Sequence, residues 1–568
     1  LSLRRQRQMC IRDSDYLFSI ANLRMIPQSV WQRARRGAIN FHDGPLPRYA
    51  GLNTPSWALL AGEERHGITW HSITDGIDEG GIYARADFEI APDDSALTLN
   101  TKCFEAGLAA FADMLPGLED GSLRPVPQDF TDRQLFMRQK RPQRLGAIAF
   151  EDGAEAASRM VRALSFGDGY RNPLATPKIV SDTAIFTVTA LDIVDGASRG
   201  VPGTVMGFEG TAAVIATADR PIRVEARCPK GLPIASVLSV GQILPRMGEG
   251  QAERLLATGE EAAAHEGFFR NRFATLIDLD IPGDSRASGP ADMRTLALAP
   301  SVTPAAVVAF LYRLTGETNF DIAHVSETEL AAARSFPGFF REALPLRVQL
   351  SEDETPAAFS ERFEQRAVAL VKRGICAADL AARTPGATDA ELSVALSYGM
   401  ESVAGAALTF AFANGRSALI HDRNRIGDAA ADTLAGRVAV LAGSFNAVQR
   451  MQDLPLMTSE ERNRILYGLN ESERQYDRTA TMHGMIEAQV DRTPHAPAVA
   501  AGASELTYRA LDERANRIAH ALRAAGAGPD VLIGLHVERG VDLVAGALAI
   551  HKACLLYTSP SPRDRQKS

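Results

Sequence analysis

The chain has 568 residues, of which 45% are hydrophobic and 23% charged, and its formal net charge is −8 at pH 7. This length exceeds what one hydrophobic core usually organises, so we expect about three or four domains. The acidic balance disfavours nucleic acid as a partner, and no apolar run is long enough to cross a bilayer. Five scattered cysteines without ligand spacing indicate a reducing, cytoplasmic setting and no structural metal site.

The two ends of the sequence lack the hydrophobic periodicity of folded segments. Residues 1–14 (LSLRRQRQMCIRDS) and residues 554–568 (CLLYTSPSPRDRQKS) resemble the translated ends of a sequencing-library adapter. The alternative interpretation is a genuine basic tail that binds anions. We expect an adapter-like artefact at both ends, because the family patterns described below are interrupted at both junctions.

Residues 15–140 alternate between patterns typical of strands and of helices. Strands are predicted at 16–21, 38–42, 67–73 and 81–89, and helices at 28–36 and about 96–118. This alternation predicts an α/β domain with a mostly parallel sheet. Ligands of such sheets bind beyond the carboxyl ends of the strands, so functional residues are expected there.

Three polar side chains near these strand ends form a possible acyl-transfer set. Asn40 and His42 lie at the end of one predicted strand, and Asp78 follows the next strand in a turn rich in glycine. The Asn40 amide can donate to a developing oxyanion, His42 can move a proton, and Asp78 can orient or charge the imidazole. Taken singly, each residue could instead fix only a loop or a turn.

The order of these residues resembles the formyltransferase family, which includes glycinamide ribonucleotide and methionyl-tRNA formyltransferases. The resemblance rests on INFHDGPLPRYAGLN (39–53) and EERHGITWHSITDGIDEGG (63–81). It implies that Asn40, His42 and Asp78 are catalytic and that formyl-tetrahydrofolate is the donor co-substrate. It further implies that the folate is contacted by Leu23, Arg24, Ile26, Thr74, Asp75 and Gly76.

The sequence also departs from that family in two places. Asp43-Gly44-Pro45 stands where most members have Ser and Leu, which affects the loop after His42 but leaves the three catalytic positions intact. Family members have an amino-terminal half of the sheet before the strand at 16–21, where adapter-like sequence stands here. We therefore expect an N-terminally truncated Rossmann-like catalytic domain over residues 15–140.

Residues 141–240 resemble the small carboxy-terminal β-barrel domain of the same family. The pattern Pro202-Gly203-Thr204-Val205 is similar to a turn of that barrel. In the tRNA enzyme the barrel helps to bind a polyanion and tends to be basic. Here residues 144–230 contain ten Arg or Lys and ten Asp or Glu, so the main driving force for tRNA binding is missing.

Two further segments resemble modules of nonribosomal peptide synthetases. Residues 260–455, an α+β half domain, resemble the second half of a condensation domain through Ser301–Pro304, Leu314–Glu317 and Leu344–Val348. The family's His-His motif belongs to the other half and no His-His pair exists in the chain, so a catalytically silent spacer or docking domain is expected. Residues 475–553 resemble the start of an AMP-binding adenylation domain, without its phosphate loop.

Together these resemblances imply a fragment of a peptide synthetase that begins with a formyltransferase domain. The expected reaction transfers a formyl group to the amine of an aminoacyl group bound to a carrier protein. The expected partners are that carrier and downstream synthetase modules, with no nucleic acid and no membrane, while ATP and phosphopantetheine would serve only the intact synthetase. The alternatives are a stand-alone methionyl-tRNA or amino-sugar formyltransferase, and a non-catalytic docking scaffold.

Overall fold

The computed structural model describes residues 14–22, 24–287, 290–389, 391–472, 474–553 and 556–557. The adapter-like ends fall almost entirely outside these ranges, and so does Leu23. The chain divides into two compact units, one up to Ser459 and the other from Glu460 onward. None of the described helices is long and apolar enough to span a bilayer.

The first part of the chain forms a mixed sheet covered by one long helix. In chain order its elements are β1 (Tyr16–Ser19), α1 (Gln28–Trp31), β2 (Gly37–His42), β3 (Tyr49–Gly51), α2 (Thr54–Ala61), β4 (Arg65–Ser72), β5 (Ile82–Glu89), α3 (Ala96–Asp120) and β6 (Gln134–Phe136). The sheet order is β1-β2-β4-β5, and β3 pairs separately with β6. The long helix begins with a capping box in which Ser95 and Thr98 satisfy each other's backbone N–H groups.

Two sequence expectations about this first part are corrected by the structure. Of the pairs in the four-stranded sheet only β1–β2 is parallel, whereas β2–β4 and β4–β5 are antiparallel. Loop 73–81 between β4 and β5 is too short for the crossover that a parallel pair needs. The helix predicted at 28–36 ends at Trp31, because the N–H groups of Arg35 and Arg36 donate to carbonyls of Ser14 and Asp15 beside β1.

Aromatic packing fixes the sheet against α3. Trp70 of β4 lies 5.2 Å from Phe41 of β2 and 5.1 Å from Phe111 of α3, measured between ring centroids. The indole Nε1 of Trp70 donates to the carbonyl of Gly107 at 3.1 Å. A Cβ at Gly107 would lie 2.3 Å from the Phe41 ring, so only glycine lets the helix approach this closely. The ends of β2 and β4 are thereby held on a rigid base.

The second part is a small antiparallel β domain with one helix. Its elements are α4 (Ala154–Ala163), β7 (Lys178–Val180), β8 (Ile185–Ile193), β9 (Val205–Glu209), β10 (Ala212–Ile215) and β11 (Ile222–Arg227). The strand order is β7-β8-β11-β10-β9, and every pair in it is antiparallel. Phe186, Ile215 and Val224 are fully buried in its core.

The third part is a layered α/β domain. Its elements are α5 (Glu249–Ala263), α6 (Glu266–Ala274), β12 (Met293–Ala297), α7 (Pro304–Thr315), β13 (Asn319–Val325), α8 (Glu327–Ser335), β14 (Leu344–Gln349), α9 (Pro356–Val371), β15 (Val394–Ser397), β16 (Leu408–Ala413), β17 (Arg416–Asp422) and α10 (Asp428–Ser444). The sheet order is β12-β17-β16-β15-β13-β14. Its core is the largest cluster of buried apolar side chains among the described residues, and it includes α7, which is buried from Ala305 to Tyr312.

A buried ion cluster joins the second and third parts of this unit. The Lys178 ammonium lies 2.6 Å from the Asp379 carboxylate, and the Arg383 guanidinium lies 2.9 Å from the same group. Arg383 also pairs with Glu266, which lies 2.9 Å from Arg141. The two cations hold the pKa of Asp379 well below its usual range although burial alone would raise it. Each of the three buried cations thus contacts at least one of the two buried carboxylates.

The second unit is a smaller α/β assembly. Its elements are α11 (Ser459–Asn463), α12 (Met482–Arg492), β18 (Pro497–Ala501), β19 (Ser504–Thr507), α13 (Tyr508–Ala524), β20 (Leu532–Ile533), α14 (Val541–Lys552) and β21 (Leu556–Tyr557). Strands β18 and β19 form an antiparallel hairpin, and β20 pairs in parallel with β21. Leu511, Ala515 and Leu548 belong to its core between α13 and α14. The multidomain α/β class expected from the sequence is confirmed.

Candidate active site

The polar residues singled out in the sequence converge at one edge of the first sheet. Ser19, the last residue of β1, lies opposite Asn40 in the parallel pair, and Asn40 lies opposite His71 in the antiparallel pair. Strand β2 ends two residues later at His42. Asn40, His42 and His71 are therefore fixed by strand register rather than by loop conformation.

The Asn40 amide is oriented by His71. Nδ2 of Asn40 lies 3.2 Å from Nε2 of His71, and Nδ1 of His71 lies 2.8 Å from the carbonyl oxygen of Ser72. A carbonyl oxygen can only accept, so Nδ1 of His71 carries a hydrogen, and Nε2 lies within hydrogen-bond distance of the Asn40 amide nitrogen. One hydrogen of the Asn40 amide nitrogen is used in this way, and the other is left for a substrate oxygen.

His42 is oriented by the loop that follows it. Its Nε2 lies 2.5 Å from the carbonyl oxygen of Tyr49, so Nε2 carries the hydrogen. Its Nδ1 lies 3.7 Å from Oδ2 of Asp78 and 3.9 Å from Oδ1 of Asp43. If His42 takes up a proton at Nδ1, two carboxylates stabilise the resulting imidazolium.

Asp78 is a largely buried carboxylate held in a special backbone conformation. It has a φ of 54°, in the left-handed region that Asp and Asn tolerate best among residues with side chains. Its Oδ2 accepts from the N–H of Gly51 at 2.8 Å, and its Oδ1 lies 3.4 Å from Nε2 of His71. Burial alone would raise the pKa of Asp78, but His42, His71 and the Gly51 N–H lower it to about 2. Asp78 is therefore ionised at neutral pH.

Small residues in the loop after His42 make this geometry possible. A Cβ at Gly44 would lie 2.8 Å from the Tyr49 carbonyl oxygen and 3.0 Å from Nε2 of His42. A side chain there would disrupt the hydrogen bond that orients the imidazole. Gly51 has a φ of 103°, and a Cβ there would lie 2.2 Å from the carbonyl oxygen of Phe136. Both glycines are needed because the backbone passes too close to its neighbours for any side chain.

The segments that resemble folate-contacting residues lie at the same edge of the sheet. Arg24 and Ile26 follow the end of β1, next to the strand that carries Asn40. Thr74, Asp75 and Gly76 form the loop after β4, and Oδ2 of Asp75 accepts from Nε2 of Gln28 at 3.4 Å. The two segments therefore lie side by side, whereas Leu23 is outside the described residues. Arg24, Thr74 and Asp75 are exposed and Ile26 and Gly76 are half-buried, so both segments are accessible to a donor such as a folate.

The structure adds residues that the sequence motifs did not single out as functional. Asp43 appeared only as a departure from the family pattern, yet its carboxylate is the second one near His42. Its carbonyl oxygen accepts from Nε2 of His66 at 2.9 Å, which ties the loop to β4. Gln128 donates to the carbonyls of Asp78 and Gly80 at 2.9 and 2.6 Å and so fixes the turn around Asp78. Of these signals only the adjacency of Asp43 to His42 was readable in the sequence.

The arrangement can donate a hydrogen bond and accept a proton at neighbouring positions. It offers an amide N–H at Asn40, a proton acceptor at Nδ1 of His42, and an ionised carboxylate at Asp78 that favours the protonated imidazole. Across the part of the chain that the structure describes, no three His, Cys, Asp or Glu residues are grouped to hold a metal ion. The amide, the imidazole and the carboxylate are the groups that acyl transfer to an amine requires.

Comparison with known families identifies the class of domain in which this site lies. Residues 6–115 match the family model described as formyl transferase, and residues 486–564 match the one described as AMP-binding enzyme. The chain thus carries two enzyme domains, a formyl transferase domain and, further along, part of an AMP-binding domain. These matches extend to residue 6 and to residue 564, into the ends set apart as adapter-like, so the domain boundaries given above stay predictions.

The relatives of the chain point to the same two families. It is 40% identical over 113 residues to tyrocidine synthase 3 of Brevibacillus parabrevis, covering 20% of this chain and 2% of that protein. It is 31% identical over 201 residues to the methionyl-tRNA formyltransferase of Burkholderia mallei, covering 35% of this chain and 59% of that enzyme. The resemblance to peptide synthetases and to formyltransferases is confirmed, although the chain spans only a small part of the synthase.

The solved structures that the chain is similar to include HypX of Aquifex aeolicus in complex with tetrahydrofolic acid. That protein is 22% identical, with a TM-score of 0.33, and the match covers 41% of this chain and 40% of HypX. An N-formyltransferase of Helicobacter canadensis matches with 20% identity and a TM-score of 0.31, over 37% of this chain and 72% of that one.

Proposed function

We propose that the chain is part of a peptide synthetase in which Asn40, His42 and Asp78 transfer a formyl group from formyl-tetrahydrofolate to an amine. The acceptor amine belongs to an aminoacyl group held on a carrier protein. The observation that carries this proposal is the joint placement of the three side chains, with Asp78 3.7 Å from His42 and His71 3.2 Å from Asn40. We would not expect these contacts to be retained in a domain that had kept the fold but lost the activity.

Each residue has a definite task in the proposed reaction. The folate supplies an activated formyl group when it is bound. The free N–H of Asn40 stabilises the negative charge that develops on the formyl oxygen as the amine attacks. His42 takes the proton from the attacking amine at Nδ1, because Nε2 is committed to the Tyr49 carbonyl, and gives it to the donor nitrogen when the bond between that nitrogen and the formyl carbon breaks. Asp78 keeps its charge throughout and stabilises the imidazolium.

The carrier-bound acceptor is favoured over tRNA by charge and by domain composition. Residues 144–230 contain ten basic and ten acidic residues, so the β domain offers no net attraction to a polyanion. The AMP-binding match at 486–564 supports a chain that handles activated amino acids. The 31% identity to a methionyl-tRNA formyltransferase supports tRNA as the second candidate acceptor, which must therefore be tested directly.

The test is a competition between acceptors in the intact protein that contains this chain. Formyl-tetrahydrofolate is supplied with equal amounts of an aminoacyl-carrier protein and an aminoacyl-tRNA bearing the same amino acid. Mass spectrometry then measures the formyl group gained by each. We expect the carrier-bound amine to be formylated at low and at high salt. Preferential formylation of the tRNA would replace the carrier by the second candidate, and the absence of both products would contradict formyl transfer.

A further inference from the structure

Three arginine side chains outside the formyltransferase site lie around the buried ion cluster that joins the second and third parts. Arg138 follows β6, Arg171 lies in the loop between α4 and β7, and Arg270 lies on α6. Arg138 and Arg171 are exposed and Arg270 is half-buried. None of the three guanidinium groups forms an ion pair or a hydrogen bond with another described residue. We call these three residues the arginine cluster.

Contacts of the buried Glu266 fix two of these arginines. The carbonyl oxygen of Arg138 accepts from Nη1 of Arg141 at 2.9 Å, and Nη2 of Arg141 lies 2.9 Å from the Glu266 carboxylate. Arg270 follows Glu266 by four residues on α6, so the two side chains lie on the same side of the helix. The first part of the chain and the third part thus each place one arginine beside Glu266.

Arg171 reaches the same place from the second part of the chain. The N–H of the residue after Arg171 donates to the carbonyl oxygen of Arg383, a member of the buried ion cluster, at 3.1 Å. Burial lowers the pKa of Arg171 most, and the positive charges of Arg270 and Arg138 lower it further, although Glu266 opposes them. Such an effect requires that the three guanidinium groups lie near one another.

Positive charge is concentrated here in a chain whose net charge is −8. The three buried cations of the ion cluster and the three arginines share only the carboxylates of Glu266 and Asp379. The adjacent Lys140 and Glu260 neutralise each other at 3.4 Å, and the exposed Asp168 forms no ion pair with a described residue. Like charges held close together repel one another, and a bound anion relieves that repulsion. The arginine cluster therefore has unused capacity for an anion.

The arginine cluster is connected to the strands that hold the formyltransferase site. Strand β6 pairs with β3 so that Phe136 lies opposite Gly51, and the N–H of Gly51 donates to Asp78 at 2.8 Å. Arg138 lies two residues beyond Phe136, which is at most about 7 Å along the chain. A ligand anchored at Arg138 is thus beside the site without occupying it, and a flexible chain can join it to a group that reacts at His42.

We propose that the arginine cluster binds the phosphate group of the phosphopantetheine arm on which a carrier protein presents its aminoacyl group. The arm ends in the thioester on one side and in a phosphodiester on the other, and it carries no charge between them. Guanidinium groups suit this anion, because each can donate two parallel hydrogen bonds to phosphate oxygens. Naming the carrier arm rests on the proposed function; the phosphate site itself rests only on the arginines.

A single phosphate fits the arginine cluster better than the backbone of a nucleic acid does. Three guanidinium groups can surround one phosphate, whereas nucleic-acid binding draws on contacts with many phosphates in a row. Residues 144–230 of the adjoining β domain contain equal numbers of basic and acidic residues. The neighbouring surface therefore supplies no excess of positive charge along which a longer polyanion could bind.

The test measures binding alone, without folate or carrier protein. Isothermal titration calorimetry on the full chain at pH 7 and low salt compares phosphopantetheine with pantetheine, which lacks only the phosphate. We expect phosphopantetheine to bind at least about tenfold more tightly, because its charged hydrogen bonds to the arginines are missing in pantetheine. Inorganic phosphate should compete with it, and salt of about 1 M should remove most of the difference, because it screens exposed charges.

Four variants locate the binding and separate it from formyl transfer. Arg171→Gln and Arg270→Gln should each weaken phosphopantetheine binding by about tenfold, because each removes a charged donor. The matched control is Arg199→Gln, which removes an exposed arginine from the loop between β8 and β9 and should leave the affinity unchanged. His42→Ala should bind phosphopantetheine as the wild type does, so a failure of formyl transfer would leave this result intact.

Several outcomes would overturn the proposal. Equal affinity for phosphopantetheine and pantetheine, or no competition by inorganic phosphate, would show that the phosphate is not the group recognised. Unchanged affinity in both Arg171→Gln and Arg270→Gln would place the binding elsewhere. Unacylated tRNA provides the last comparison. If it displaces phosphopantetheine, and if the salt dependence of its own binding falls by about one unit of slope for each arginine removed, the arginine cluster binds nucleic acid instead.

Discussion

The buried histidines of the formyltransferase site and of the third part of the chain differ in their hydrogen bonding. In the first, His42 and His71 are 4% and 3% exposed, and each ring donates to a backbone carbonyl and faces the carboxylate of Asp78. In the second, His324 is 1% exposed and its Nδ1 has no partner among the described residues. A catalytic histidine needs a fixed orientation and a fixed protonated nitrogen before the substrate binds.

The largest effect is expected at the buried ion cluster that joins the second and third parts of the chain. Asp379→Ala would leave Lys178 and Arg383 buried without their carboxylate and should lower the free energy of unfolding by about 3–5 kcal/mol. Urea unfolding of the full chain measures it. The control is Asp453→Ala, which removes an exposed partner of Arg450 and should cost less than about 1 kcal/mol. Equal losses of unfolding free energy in the two variants would show that the buried cluster stabilises the fold no more than an exposed ion pair does.

The next effect concerns the rate of formyl transfer. Asn40→Ala and His42→Ala should each lower kcat by about a hundred- to a thousandfold, because one removes an oxyanion donor and the other the proton acceptor. Steady-state kinetics with an aminoacyl-carrier protein measures the loss, and circular dichroism checks the fold. The exposed Asn271→Ala is the matched control and should retain wild-type turnover. Turnover of His42→Ala within a few-fold of wild type would remove His42 from the reaction.

The burial of the His324 imidazole predicts a pH dependence of the free energy of unfolding. His324 titrates near 6.5 when unfolded and near 4 when folded, so the unfolded chain binds more protons between these values. The free energy of unfolding should fall by about 3 kcal/mol as the pH drops from 6.5 to 4, and His324→Phe should lack this part of the fall. Tyr398, Glu364 and Lys372 remain in the variant, so the difference isolates the imidazole. Parallel curves for the two proteins would show that His324 is partnered in solution.

The smallest effect is expected at the exposed rim of the formyltransferase site. Asp75→Ala removes the acceptor of the 3.4 Å hydrogen bond from Gln28 and should weaken folate binding by about threefold, with kcat nearly unchanged. Gln28→Ala should have a similar effect, because the two side chains share that bond. Fluorescence titration with the folate measures both. A loss of kcat as large as that of Asn40→Ala would place Asp75 in the chemistry itself.

The first region could be predicted from sequence because its determinants are local. Asn40 and His42 lie on one strand, and Asp78 lies in one turn of a recognisable motif. The motif does not predict the partners of these side chains. The fold of loop 43–53 brings to the site the Tyr49 carbonyl, the Gly51 N–H and the second carboxylate at Asp43. The prediction of a mostly parallel sheet was wrong, although the short loop 73–81 already indicates that β4 and β5 pair in antiparallel fashion.

The second region could not be predicted because its determinants are distant in sequence. The groove that His324 lines unites residues from Thr303 to Asn446, and of these only Thr303 and Pro304 lie in a segment that the sequence singles out. Lys178 and Asp379 also contact each other, although they lie 201 residues apart. No local pattern in the sequence indicates this contact. The missing His-His pair bears only on condensation chemistry of the family type, and that expectation stays a prediction. The absence of a motif therefore does not indicate that a cavity is absent.

The most direct measurement of the central claim is a single-turnover formyl transfer by Asp78→Asn. Asparagine tolerates the left-handed backbone of this position and can still accept from the Gly51 N–H, so the substitution removes mainly the charge. Rapid-quench mass spectrometry follows the formyl group from formyl-tetrahydrofolate to an aminoacyl-carrier protein. We predict a rate at least about a hundredfold below wild type, with folate affinity and fold preserved. A rate within a few-fold of wild type would contradict the assignment of this site as the formyl-transfer centre.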